Sequence, residues 1–188
     1  RYTFHPQVLK APVLDSDTLF EKPFITEDGA CQYADGLDPE TDVLFFMSAN
    51  PLHFGHEMVA KQMTRVFGKR VIMAVTASHP DKGTVSNEEL IQRTRQFWWK
   101  WPVLLSRDPG LFIDKARLYP RFGMVIGADA MMGILNPKYY GGYDELVKVL
   151  TEFRNLGTTF YVAGREVDGV WRHQANISIP EGYRDLFM

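Results

Sequence analysis

The stretch that most constrains this chain runs from Val43 to Phe67, VLFFMSANPLHFGHEMVAKQMTRVF. It opens with the apolar run Val43 to Met47, too short for a helix and placed like a buried strand. Ser48-Ala49-Asn50-Pro51-Leu52 then turns the chain. From Phe54 the apolar residues fall at Phe54, Met58, Val59, Met63, Val66 and Phe67, one stripe at helical period, while Lys61, Gln62, Thr64 and Arg65 take the other face. The pattern predicts a strand, a tight loop and a helix. His53 and His56 flank Gly55 where the loop becomes the helix, and there free backbone N–H groups and the positive end of the macrodipole suit an anion such as phosphate.

The chain beyond this unit repeats its logic. Val71 to Val75 is a second apolar run, followed by the polar loop Thr76 to Val85. Ser86-Asn87-Glu88-Glu89 reads as a capping box, Ser86 toward the N3 amide and Glu89 back to the cap. The helix it opens places Leu90, Ile91, Thr94, Phe97, Trp98 and Trp101 on one face, so those two tryptophans read as packing. Trp99 leans to the polar side, and Arg93 and Arg95 read as a solvated face, with the alternative that an arginine on this helix reaches the site. Val103 to Leu105, Met124 to Ile126 and Phe160 to Ala163 are further strand candidates. Between them lie a short helix from Gly110 to Tyr119 and a longer one that starts near Asp144 and Glu145 and buries Leu146, Val147, Leu150 and Phe153.

Short apolar strands alternating with helices predict an α/β fold, a Rossmann-like, doubly wound, mainly parallel five-stranded sheet covered on both faces. Residues 1–42, rich in Pro, Asp and Glu, read as an N-terminal arm, with a hairpin signal at Asp28-Gly29, packed on a domain of residues 43–188. In such folds ligands sit outside the carboxyl ends of the strands. The residues to watch are therefore Ser48 to His56, Thr76 to Lys82, Gly127 to Asp129, and Gly164-Arg165.

Charge and composition narrow the partners. Lys+Arg 21 against Asp+Glu 23 gives a net charge of −2 without a basic run, which argues against nucleic acid and membrane surfaces and for a small molecule. Cys31 is the single cysteine, so no internal disulfide or Cys-based zinc site is expected, and a reducing, cytoplasmic setting is. No apolar run approaches the roughly 20 residues of a membrane helix. His56-Glu57 would need a histidine at position 60 for a zinc motif, and that residue is Ala60. No set of protein ligands for a metal is expected. The Walker phosphate loop, the Gly-x-Gly-x-x-Gly fingerprint and the Gly-x-Ser-x-Gly elbow are all absent from the sequence.

The order Ser48-Ala49-Asn50-Pro51-Leu52-His53-Phe54-Gly55-His56 resembles the signature of the nucleotidylyltransferase superfamily, in which Gly-Ser-aromatic-Asn/Asp-Pro leads into His/Thr-x-Gly-His. Met47 and Ala49 replace the usual glycine and aromatic. Met124 to Tyr140 and Phe160 to Gly169 extend the resemblance, which is nearest to nicotinamide or nicotinate mononucleotide adenylyltransferase-like proteins. The resemblance implies a catalytic set of His53, His56 and Lys82, the last a cation in the loop after the second strand. It implies nucleotide contacts from Ser48, Ala49, Asn50, Gly55, Gly127 and Asp129, the Gly-x-Asp carboxylate accepting from ribose hydroxyls. Arg165, past the fifth strand, reads as a phosphate fork. The alternative for Asp129 is a cap on the helix after it. The family's C-terminal Ile-Ser-x-Thr-x-Ile-Arg motif is missing. Ile177-Ser178 is followed by Ile179-Pro180, so the chain is expected to stop short of that motif, with Arg184 a weak substitute.

The implied reaction moves a nucleoside monophosphate, AMP from ATP in the first reading, onto a mononucleotide phosphate, with Mg²⁺ held mainly by substrate phosphates. The partners are then a nucleoside triphosphate and a small phosphorylated acceptor. Cytidylyl transfer to a phospho-alcohol is the alternative within the class. A nucleotide-sensing module without turnover, which the unusual Met47 and Ala49 would also suit, is the alternative outside it.

Overall fold

A computed structural model of the chain describes residues 24–27, 30–33, 36–81, 83–97, 100–105 and 110–188. In chain order the strands are β1 (Phe24–Glu27), β2 (Ala30–Tyr33), β3 (Asp42–Met47), β4 (Arg70–Val75), β5 (Ser78–His79), β6 (Gly83–Thr84), β7 (Val103–Leu105), β8 (Gly123–Gly127), β9 (Thr159–Ala163), β10 (Arg165–Val167) and β11 (Val170–Arg172). The helices are α1 (Phe54–Phe67), α2 (Asn87–Thr94), α3 (Phe112–Leu118), α4 (Ala128–Ile134) and α5 (Tyr143–Asn155).

The main sheet has the order β2-β1-β7-β4-β3-β8-β9. Strands β7, β4, β3, β8 and β9 run parallel, the five expected from the apolar runs, and β1 adds the hairpin antiparallel to β7. Asp28-Gly29 and residues 1–23 lie outside the described residues. Strand alternation feeds two cores. Val43, Phe45 and Met47 of β3 point to the layer of Ala60, Met63, Leu90 and Phe97, on α1 and the α2 segment. Leu44 and Phe46 point to the layer of α3, α4 and α5, with Ile113, Met131, Leu150 and Phe153. Continuous apolar runs form strands here because both faces of the sheet are covered.

Two local readings change. Ser86 Oγ accepts from the Glu89 N–H at 3.2 Å as expected, but the Glu89 carboxylate turns to Arg93 at 2.5 Å instead of returning to the cap. The apolar stripe of α1 is also not buried as a unit. Met63 is buried together with Ala60, while Phe54 and Val66 are 73% and 65% exposed, because the helix rests on the sheet through its middle only. Met58, Val59, Val66 and Phe67 border an apolar groove of about 390 Å³ shared with Tyr161, Val162 and Met188. Phe187 stacks on Phe160 at 5.2 Å, and Met188 exchanges backbone hydrogen bonds with Phe160 and Val162, so this segment runs along β9.

One ion pair ties the amino ends of β3 and β4. Asp42, 1% exposed, accepts from Arg70 Nε at 2.8 Å and Nη2 at 2.9 Å. Burial works against the charge of Asp42, but Arg70, the Asp38 N–H and the Thr41 hydroxyl hold its carboxyl below the usual carboxylate range. That contribution is complete above the unfolded value and is lost as pH falls through the depressed folded one. Arg70→Ala should therefore cost about 2 kcal/mol in urea unfolding at pH 7. The deficit should shrink at pH 3, and one of equal size at both pH values would assign the loss to the arginine stem instead.

Candidate functional site

The parallel strands reverse direction of addition at β3. Strands β4 and β7 lie on one side and β8 and β9 on the other, so a crevice opens at the carboxyl ends of β3 and β8. β3 ends at Met47. Ser48 and Asn50 are exposed, and between them Ala49 is buried, with a φ of +46° in the left-handed region. His53 takes extended backbone angles, φ −134° and ψ 165°, as the N-cap of α1. A Cβ at Gly55 would lie 3.1 Å from the His53 imidazole, so the glycine makes room for that ring to fold over the helix start.

The rings of His53 and His56 stack at 3.7 Å with 26° between their planes. The His53 N–H donates to His56 Nδ1 at 3.4 Å, which places the proton of neutral His56 on Nε2. Burial, the neighbouring His53 and the charge of Arg165 push His56 down to about 4, against an upward pull from Asp129. At neutral pH His56 is thus a neutral hydrogen-bond donor set at a helix N-terminus.

Across the crevice, Gly127 ends β8 and caps α4, and a Cβ there would collide with the Asp129 carboxylate. Asp129 does not cap the helix. Its Oδ2 accepts from Arg165 Nη1 at 2.9 Å, and both side chains remain half exposed. The charges of this pair act on the His56 ring, so residues 36 or more positions apart in the sequence share one electrostatic site.

This geometry accompanies a sequence match: the cytidylyltransferase-like family model covers residues 44–171. The chain belongs to the cytidylyltransferase-like family. Among solved structures it is similar to Plasmodium falciparum nicotinic acid mononucleotide adenylyltransferase complexed with NaAD, at 14% identity and a TM-score of 0.40, over 65% of this chain and 63% of that one. The matched part thus spans under two thirds of that structure's chain. No curated protein matches the sequence.

Within this cytidylyltransferase-like domain, His53, His56, Gly55, Ser48, Ala49, Asn50, Gly127, Asp129 and Arg165 all lie at the carboxyl ends of β3, β8 and β9. Lys82 lies outside the described residues, as do Trp98 and Trp99. Its loop is flanked by the β5–β6 hairpin, in which His79 Nδ1 accepts from the Asp81 N–H at 3.1 Å. Asp81 also accepts from the Tyr139 hydroxyl at 2.5 Å, the contact that chiefly lowers its pKa. Arg184 lies in a 3-10 turn, Arg184–Leu186, whose Asp185 pairs with Arg154 of α5, and Leu186 packs in the core.

Gln96 escapes a sequence reading, and Arg93 takes the alternative given for it, that of an arginine reaching the site. Arg93, assigned above to a solvated face, has a side chain only 13% exposed and donates from Nη1 to the Ser48 carbonyl at 3.0 Å. Gln96 reaches the same loop. Neither contact has a local signature, because the partners lie 44 to 47 positions away. Trp101 keeps the packing role expected of it.

For His56 the sign of the pH effect is set by a folded pKa below the unfolded one. Between about 6.5 and about 4 the unfolded chain binds a proton that the folded one does not, so stability falls as pH is lowered through that window. An NMR titration of His56 should give a midpoint near 4, and His56→Gln should lose less stability than wild type between pH 7 and pH 4.5. A midpoint near 6.5 would remove the neutral-donor assignment.

Proposed function

We propose that this domain catalyses nucleotidyl transfer, moving AMP from ATP onto the phosphate of a mononucleotide such as nicotinamide or nicotinate mononucleotide. The observation that carries the reading is the stacked His53–His56 pair at the α1 N-terminus, placed at the topological switch beside Asp129 and Arg165. A phosphate oxygen of the acceptor attacks the α-phosphorus, the new P–O bond forms, and the bond to pyrophosphate breaks. The nucleophile is already an anion, so no residue has to remove a proton.

The work left to the protein is alignment and charge stabilisation. Neutral His56 donates from Nε2–H without first paying for a buried cation, and His53 and the α1 N–H groups add donors on the same side. Lys82 is proposed as the cation of the neighbouring loop. Asp129 exchanges its contact with Arg165 for ribose hydroxyls, which frees the guanidinium for phosphate. Mg²⁺ is proposed to be carried by the triphosphate and water. That ion supplies neutralisation of the repulsion between two polyanions. The adenylyl choice rests on the resemblance of Asn50 and the Gly-x-Asp segment. No described helix is long and apolar enough to cross a membrane, and the single cysteine suits the reducing cytoplasm.

Pyrophosphate release tests the reading, with ATP and CTP each crossed against mononucleotides and phospho-alcohols. His56→Ala should lower kcat/KM about 10²–10³-fold, as removal of one transition-state donor does. Release from one pair, lost in the variant, also identifies the substrates, whereas nucleotide binding with no release from any pair assigns a sensor. Gly127→Ala should weaken triphosphate binding by displacing Asp129, and unchanged affinity would remove Gly127 from the site.

A further inference from the structure

The loop that connects β3 to α1 is held from outside by side chains the proposed chemistry does not use. Gln96 lies in the 3-10 turn Arg95–Phe97 that continues α2. Its Oε1 accepts from the Leu52 N–H at 2.8 Å, and its Nε2 donates to the Ala49 carbonyl at 2.8 Å and to the Arg93 carbonyl at 3.0 Å. Arg93 donates to the Ser48 carbonyl beside it. One primary amide therefore grips the loop on both sides of Asn50-Pro51.

The grip falls where the backbone needs it. Ala49 has a φ of +46°, a conformation that a residue with a Cβ keeps only when its surroundings enforce it, and its side chain is buried at 1%. The peptides on either side of Ala49 are trans, and a trans peptide holds its C=O and N–H on opposite sides. Drawing the Ser48 and Ala49 carbonyls toward α2 consequently turns the N–H groups of Ala49 and Asn50 away from it. Neither N–H donates to another group among the described residues. Successive N–H groups presented together in this way suit an anion.

We infer that Gln96 is a positioning residue for this site: its amide sets the backbone of residues 48–52 in the form that receives the phosphates of a nucleoside triphosphate. The ligand in this inference rests on the nucleotidyl-transfer reading, and the clamp rests on the contacts above. The residue type follows from the task. A primary amide offers an acceptor for Leu52 and a donor for Ala49 in one plane. A carboxylate satisfies Leu52 and repels the Ala49 carbonyl, and a methionine fills the space with neither contact.

The test is calorimetric titration of ATP, with CTP in parallel, into the full chain and its Gln96→Met and Gln96→Glu variants at pH 8 and pH 5, alongside thermal melts and steady-state pyrophosphate release. At pH 8 both variants should bind triphosphate about tenfold more weakly than wild type, with KM for it raised by a similar factor. At pH 5 the ratio of Gln96→Glu to wild type should narrow, because a carboxyl facing the Ala49 and Arg93 carbonyls takes up a proton more readily than a free one and then regains the donor, while that of Gln96→Met stays as it was. Ionisation of the nucleotide and of His56 is common to all three proteins and cancels in the ratio. Should Gln96→Met fail to fold, the pH profile of Gln96→Glu decides alone. Variants that bind like wild type at pH 8, or a Gln96→Glu deficit equal at both pH values, would overturn the clamp. Wild-type protein that binds no triphosphate would instead overturn the nucleotidyl-transfer reading and, with it, the ligand assigned here.

Discussion

Every residue of β3 is buried between two helical layers, so the chain leaving its carboxyl end must turn within a few residues and start α1 over the sheet's edge. That constraint places a helix N-terminus, with its unpaired N–H groups, at the point where β3 and β8 diverge. His53 and His56 come to the crevice because they occupy the N-cap and first turn of the helix, and Gly55 lets their rings stack. Gly127, Asp129 and Arg165 arrive from the neighbouring strands by the same rule, since β8 and β9 run parallel to β3 and release their next residues at the same end.

The electrostatics of the site are those of a receptor kept nearly neutral. The Asp129 carboxylate at the crevice is paired with the Arg165 guanidinium, and His56 stays unprotonated where burial and the charge of Arg165 both oppose a positive charge on its ring. Donors fixed in place cost no reorganisation when a polyanion arrives, and a partly desolvated setting makes each one count for more than it would in water. A cation at His56 would bind phosphate more strongly in the ground state, but it would have to be created against burial first.

Precision at the loop comes from α2 rather than from the loop itself. A glycine at position 49 would accept a positive φ without assistance, whereas alanine needs its carbonyl and its neighbours held. Gln96 and Arg93 supply that hold from a segment that is otherwise part of the hydrophobic layer, with Leu90, Thr94 and Phe97 buried beside them. The site is thereby coupled to the packing of α2, the more so because Ala49 is buried in the same hydrophobic layer and Leu52 packs against it.

Much of this was legible in the residues taken in order. Continuous apolar runs of strand length alternating with amphipathic helices determined the parallel sheet, and the HFGH sequence after an Asn-Pro turn determined where the helix starts and its two histidines stand, because strand period, helix period and helix-start chemistry are all local. Long-range packing decided the remainder. Half of the α1 stripe faces a groove instead of the core because a helix on a twisted sheet touches it along a short line. The hairpin joined β7 because that edge of the sheet was open to pairing. Arg93 and Gln96 read as ordinary polar helix positions, and only the tertiary fold, which brings the end of α2 against a loop more than forty residues earlier, gave them the carbonyls of Ser48 and Ala49 to hold.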